Sequence, residues 1–148
     1  MIATAGHSLP KGLCLYAMLL LGACDSLPRD PENTTERVKE DHTIILGVVA
    51  SESVGGKEAV VASRLADAFD AEVQIRRSSG ELLLASLEEG QIDLVYGEFA
   101  SNSPWARHIH LGAPFDGNGN AERDRPAARL AYRNGENGWI ARVERAIK

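Results

Sequence analysis

Thr43-Ile44-Ile45-Leu46-Gly47-Val48-Val49 is an unbroken apolar run rich in β-branched side chains. A strand wetted on one face alternates polar and apolar residues, so a run without alternation predicts a strand covered on both faces, as in a parallel sheet flanked by helices. Downstream, the loop Ser51-Glu52-Ser53-Val54-Gly55-Gly56 leads into a helix from about Lys57 to Phe69, with Val61, Leu65, Ala68 and Phe69 on one apolar face. Glu72 to Arg76 alternates like a second strand. Ser78 and Glu81 have the spacing of a capping box opening a helix that carries Leu83, Leu84 and Leu87 and stops at Gly90. Gln91 to Tyr96 reads as a third strand. Strand, helix, strand, helix, strand predicts an α/β fold, a three-layer doubly wound sheet whose simplest strand order is 2-1-3.

Toward the C-terminus, His108 to Leu111 reads as a short strand and Asp116 to Pro126 as a polar, glycine-rich loop. A strand at Ala128 to Tyr132, a turn at Asn134 to Gly138 and a helix from Trp139 to Ile147 close the chain. Trp139, Ile140, Val143 and Ile147 give that helix a stripe that should dock on the sheet.

Toward the N-terminus, the segment Asp25 to His42 (DSLPRDPENTTERVKEDH) has two prolines, many charges and little apolar periodicity, and reads as a solvated tether. Before it, Gly12 to Ala23 is an apolar stretch flanked by Lys11, too short to span a bilayer as a mature helix, and so an export signal. It closes on Leu21-Gly22-Ala23-Cys24, which resembles the lipobox of bacterial lipoproteins. The resemblance implies cleavage before Cys24, acylation of its thiol, and anchoring by lipid. Asp25 directly after it implies retention at the periplasmic face of the inner membrane. Three segments are expected: a signal over 1–23, a lipidated cysteine and polar tether over 24–42, and a domain over 43–148.

Composition narrows the function. The formal net charge is −5 and moves one unit further negative without Lys11, which argues against nucleic acid or anionic headgroups as partners. Of the two cysteines, Cys14 leaves with the signal and Cys24 is committed to lipid, so no disulfide is expected. Aromatic residues make up only 5% of the chain, which predicts an aliphatic core. No G-x-S-x-G elbow, phosphate loop, H-E-x-x-H or C-x-x-C is present, so the sequence offers no catalytic residues and no cofactor motif. His108-x-His110 has a spacing used by metal sites but no third ligand nearby, and the Asp116 to Glu122 alternation has Ala121 where a calcium loop needs glycine. No metal is expected.

The stretch from Ile44 to Phe115 resembles lobe one of the type 2 periplasmic solute-binding proteins, in particular the family 3 group that binds polar amino acids. Its most specific match is Leu84-Ala85-Ser86-Leu87-Glu88-Glu89-Gly90-Gln91-Ile92-Asp93-Leu94-Val95-Tyr96-Gly97, a leucine-rich helix, a glycine and a strand opening on aspartate. Ser103-Pro104-Trp105-Ala106-Arg107 through Leu111-Gly112-Ala113-Pro114-Phe115 is similar to the following loop, strand and hinge of that lobe. Arg129 to Gly135 and Trp139 to Lys148 resemble its closing strand and helix, with only a loop where the family carries lobe two. The resemblance therefore implies a lone lobe, one wall of a cleft, and weakened affinity for a free solute.

Ligands of open α/β sheets bind beyond the carboxyl ends of the strands, which nominates Ser51, Ser53, Ser78, Ser79, Gly97, Ser101, Ser103, Trp105 and Arg107. The loops at Gly55-Gly56 and Ser78-Ser79 also lead into helix N-termini, whose N–H groups suit a carboxylate or serve as ordinary caps. The family holds its carboxylate with an arginine of the third loop, and Arg107 is the nearest candidate, although Trp105 stands closer to the family position. Trp105 suits a stacking platform, an anchor for a protein partner, or a cover for the core edge. The implied function is recognition of a small polar, amino-acid-like solute within a transport system. That recognition is weak or is shared with a second subunit. The alternative is a protein-interaction or regulatory subunit whose exposed former ligand face, Trp105 and the 97–107 loop included, docks a membrane transporter or enzyme.

Overall fold

The computed structural model describes residues 30–50, 56–115 and 125–148. Four helices and five strands follow in the order α1 (Thr34–Asp41), β1 (Thr43–Val49), α2 (Lys57–Phe69), β2 (Glu72–Ser78), α3 (Gly80–Glu88), β3 (Leu94–Phe99), β4 (Ile109–Leu111), β5 (Ala127–Arg133) and α4 (Asn137–Ala146). A 3₁₀ turn, Pro104–Arg107, precedes β4. The sheet order is β2-β1-β3-β5-β4, with β1 parallel to β2 and β3, and β5 antiparallel to β3 and β4. The expected 2-1-3 unit is the parallel half of this sheet.

Alternation along β1 sorts the core into two layers. Ile44, Leu46 and Val48 join Leu94, Tyr96, Leu130 and Tyr132 on one face, beneath Val61 and Leu65 of α2 and Trp139 and Val143 of α4. On the other face Ile45 and Val49 join Val95, Phe99, Ile109 and Ala131 beneath Leu83, Leu84 and Leu87 of α3. Because each face of β1 meets a helix layer, the strand has no polar alternation to display.

The stretch read as a tether over 24–42 is not a tether from residue 34 on. Thr34–Asp41 is a helix, and its single apolar side chain, Val38, is fully buried in the first core layer. So short and polar a helix has little stability of its own and is held by docking. Cys24 and the signal lie outside the described residues.

Helix α3 also starts differently from expectation. Ser79, not Ser78, is its N-cap, and no side chain caps it. Ser78 belongs to β2, paired with Val49. At the other end Gly90 has φ 75°, a left-handed turn that glycine adopts without strain. Strand β3 begins at Leu94, three residues later than expected, because the Asp93 side chain and N–H bond the backbone of Ile45 at 2.7 and 3.0 Å and hold a bend there.

Candidate functional site

The carboxyl ends of β1, β2 and β3 lie at one rim of the sheet, together with the start of β5, whose Ala127 pairs with Phe99. Ser78 and Ser79 sit at this rim, Ser78 half-buried and Ser79 exposed, with the Ser78 carbonyl accepting from Ala50 N–H at 2.9 Å. Ser101 is exposed in the turn just beyond β3. Ser103 closes that turn: its N–H donates to the Ala100 carbonyl at 3.1 Å and its hydroxyl accepts from Trp105 N–H at 3.4 Å. Ser51 and Ser53 lie outside the described residues.

Gly97 is not in a loop. It is buried within β3, where an added Cβ would come within 2.6 Å of Val49 Cγ2 and 3.0 Å of the Phe99 ring. Its lack of a side chain is a packing requirement at the rim.

Arg107 is at the wrong end of the sheet for the role that resemblance gives it. Its carbonyl accepts from Asn134 Nδ2 at 3.3 Å, and Asn134 directly follows β5, which runs away from the rim. Six residues of β5 separate the rim from that point, roughly 20 Å at about 3.3 Å per residue. Trp105 follows the same path. It is half-buried against the α3 layer, with its ring edge-on to His108 at 6.2 Å, and it lines a shallow pocket with Pro104, His108 and Glu88, the last residue of α3. The two histidines do not share a face, since His108 bonds Glu88 at 3.1 Å whereas His110 packs on Tyr132. Among the described residues no group of three metal-ligating side chains occurs.

Two features of the rim escaped the sequence reading. A cavity of about 250 Å³ opens between α2 and the Pro114-Phe115 segment, lined by Lys57, Val60, Val61, Arg64, Tyr96, Phe115 and Ile147. The Phe115 and Tyr96 rings meet at 5.7 Å, and Arg64 donates to the Ile147 carbonyl. The second feature is Arg129 on β5, paired with Gly97. Only 6% of Arg129 is exposed, and its enclosed Nε has no hydrogen-bond partner among the described residues. Burial pushes its guanidinium below its ordinary pKa. A lone arginine inside the apolar run Ala127 to Tyr132 was the available signal.

The opposite end, the floor, is tied shut. Asp93 is buried and pairs with Arg37 of α1, and its carbonyl accepts from Trp139 Nε1 at 3.1 Å. Glu136, 1% exposed, accepts from Glu32 N–H at 2.9 Å and from Thr34 N–H at 3.4 Å. Burial raises the Glu136 carboxyl, and its hydrogen bond to Asp30 raises it further. For Asp30 burial pushes upward too, but the bonds from Glu136 and Thr35 outweigh it and leave that carboxyl below its usual range. Arg133 Nη2 bonds Thr34 Oγ1 at 3.1 Å and adds a further tie to α1.

No family model matches the sequence, and no curated protein matches it. Solved structures do. The arginine-bound form of domain 1 from TmArgBP is similar with a TM-score of 0.62 at 15% identity, over 75% of this chain and 95% of that one. A point mutant of the same arginine-bound domain gives a TM-score of 0.63 at 16% identity, over 76% and 95%. An ancestral cyclohexadienyl dehydratase gives 0.50 at 15% identity, over 55% of this chain and 38% of that one. The fold is thus a single lobe of a type 2 periplasmic binding protein. At such identities the likeness concerns the fold, and function has to be argued from the site.

Proposed function

We propose that this protein is a non-catalytic binding module that takes a small polar, amino-acid-like solute at the strand-end rim, as a component of a transport system. The observation that carries the reading is the correspondence with a domain 1 that was solved alone and bound to arginine, nearly all of which this chain covers. A lone lobe of this architecture therefore does hold an amino acid in that relative, which offsets the expectation that one wall of a cleft binds too weakly. The dehydratase of the same fold means that the fold alone does not separate binding from turnover. What favours binding is the absence from the sequence of the nucleophile and metal motifs that catalysis uses.

We further propose that the lobe is exported and held by lipid at Cys24 on the periplasmic face of the inner membrane, a reading supported by Leu21-Gly22-Ala23-Cys24-Asp25. Replacement C24A should then move the protein from the detergent phase to the aqueous phase on Triton X-114 partition. Continued detergent partition would refute the anchor. For the solute, calorimetric titration with a panel of L-amino acids should give saturable heat for at least one member. Silence across the panel would overturn the binding reading.

A further inference from the structure

One level of the sheet runs across the rim from Ser78 to Arg129. Ser78 pairs with Val49, Val48 pairs with Tyr96 so that Val49 stands beside Gly97, and Gly97 pairs with Arg129. Neighbouring residues of a pleated sheet project to the same side, and Val49 belongs to the α3 layer, so the level projects toward α3. Leu130 and Tyr132 occupy the opposite layer, which by alternation places Arg129 on the α3 side as well. Gly97 interposes no side chain between Val49 and Arg129. Val49 also reaches Gly80, the first residue of α3, where an added Cβ would lie 3.8 Å from both of its methyl groups.

Two unmet electrostatic demands therefore fall on one level of one face. Helix α3 begins there with its N-terminus uncapped by any side chain, leaving N–H donors and the positive end of the helix dipole toward the rim. Arg129 is more than nine-tenths buried, and among the described residues no carboxylate pairs with it and no acceptor meets its Nε. A buried guanidinium without a partner is costly to the folded state, and native structures rarely retain such a group without a use for it. Among the described residues the opposite rim flank, with its aromatic cavity, has no comparable unpaired cation, since Arg64 is bonded to the Ile147 carbonyl and Lys57 is also engaged.

We propose that Arg129 and the N-terminus of α3 form a carboxylate site on the α3 side of the rim, and that the solute's acid group is gripped there. This rests on the reading of the protein as a binder of small polar solutes and names the group by which the solute is held. The planar guanidinium offers paired donors to a carboxylate, and the first N–H groups of α3 complete the set. Arg129 thus takes the task that the sequence resemblance assigned to Arg107.

The test uses the purified full chain and two kinds of probe. Each L-amino acid that binds is titrated beside its own α-carboxamide, which keeps the shape and removes the charge. The wild type should bind the amide at least about tenfold more weakly, the scale of a lost charge-assisted pair. Replacement R129Q should weaken the acid by a similar factor and bring acid and amide close together, whereas R129K should restore part of the preference through its charge alone. Sodium acetate, which needs no solute-sized pocket, should raise the melting temperature of the wild type and leave that of R129Q unmoved. Equal binding of acid and amide, or a preference that survives in R129Q, would overturn the site while the solute-binding reading stands. If no amino acid binds, that reading falls and acetate decides the site: a rise confined to the wild type upholds it, and no rise overturns it. Should R129Q fail to fold, R129K carries the comparison, with circular dichroism confirming the fold of each variant.

Discussion

The two ends of the sheet treat their buried charges differently. At the floor Asp93 pairs with Arg37 and the Ile45 backbone, Glu136 accepts from the Glu32 and Thr34 N–H groups, and Arg133 bonds Thr34, while Asp30 Oδ1, Thr35 Oγ1 and Arg133 Nε have no hydrogen-bond partner among the described residues. At the rim α3 starts without a side-chain cap, and Arg129 is buried with no carboxylate beside it among the described residues. A buried charge met by its opposite fixes one arrangement, whereas an unmet one holds free energy that a ligand can release. The proposed division is stability at the floor and recognition at the rim.

The largest blow to this contrast should come from D93A, which leaves the Ile45 N–H and the Arg37 guanidinium unmatched. Loss of a fully buried pair costs about 3–5 kcal/mol, and the 39% exposure of Arg37 reduces this to roughly 2–4 kcal/mol. Urea denaturation measures it, and a loss under about 1 kcal/mol would mean that the floor is not the anchor described. At the rim the sign should reverse. R129M removes an unpaired buried charge while filling similar space, and should stabilise the ligand-free protein by roughly 1–3 kcal/mol, the scale of an unmatched buried polar group. Destabilisation in the same denaturation series would show that Arg129 is already paired.

A subtler effect concerns pH. Glu136 titrates above its ordinary value, so the native protein keeps a proton that the unfolded chain has lost, and stability falls as pH rises through that interval. Asp30 titrates below its ordinary value, so its contribution is present above that value and fades as pH drops. Stability should peak in mildly acidic solution, between these two titrations. E136Q replaces the carboxyl by an amide that does not titrate and should abolish the decline on the alkaline side while leaving the acid side, as thermal melts across pH would reveal. The smallest effect belongs to S79A. A working N-cap is worth about 1 kcal/mol, but Ser79 makes no capping bond, so the change in melting midpoint should correspond to less than about 0.5 kcal/mol.

Helix α2, the parallel β1, β2 and β3, and the closing strand and helix were legible because each carries its own periodicity. Lys57 to Phe69 repeats its apolar face over several turns, and the unbroken run at Thr43 to Val49 admits little besides a doubly covered strand. Helix α1 was not legible, because Val38 is its one apolar anchor and no repeat exists to detect. Of the candidate site residues, Ser78, Ser79 and Gly97 do stand at the rim, whereas Arg107 and Trp105 do not. Arg107 and Trp105 follow β3 in sequence, and nothing local signals that the chain descends along the sheet before β4. Arg129 gives no local signal of a site, because it lies within a strand, far in sequence from the strand-end loops.

The order of residues by itself determined the layered α/β architecture and the 2-1-3 core, since hydrophobic periodicity and strand polarity are local properties of a chain. Only the tertiary structure decided which charges are satisfied. Whether Asp93 finds Arg37, Glu136 finds Asp30, or Arg129 finds no carboxylate among the described residues depends on contacts between segments distant in sequence. The cost of a buried charge is set by what surrounds it, not by the residues beside it in the chain.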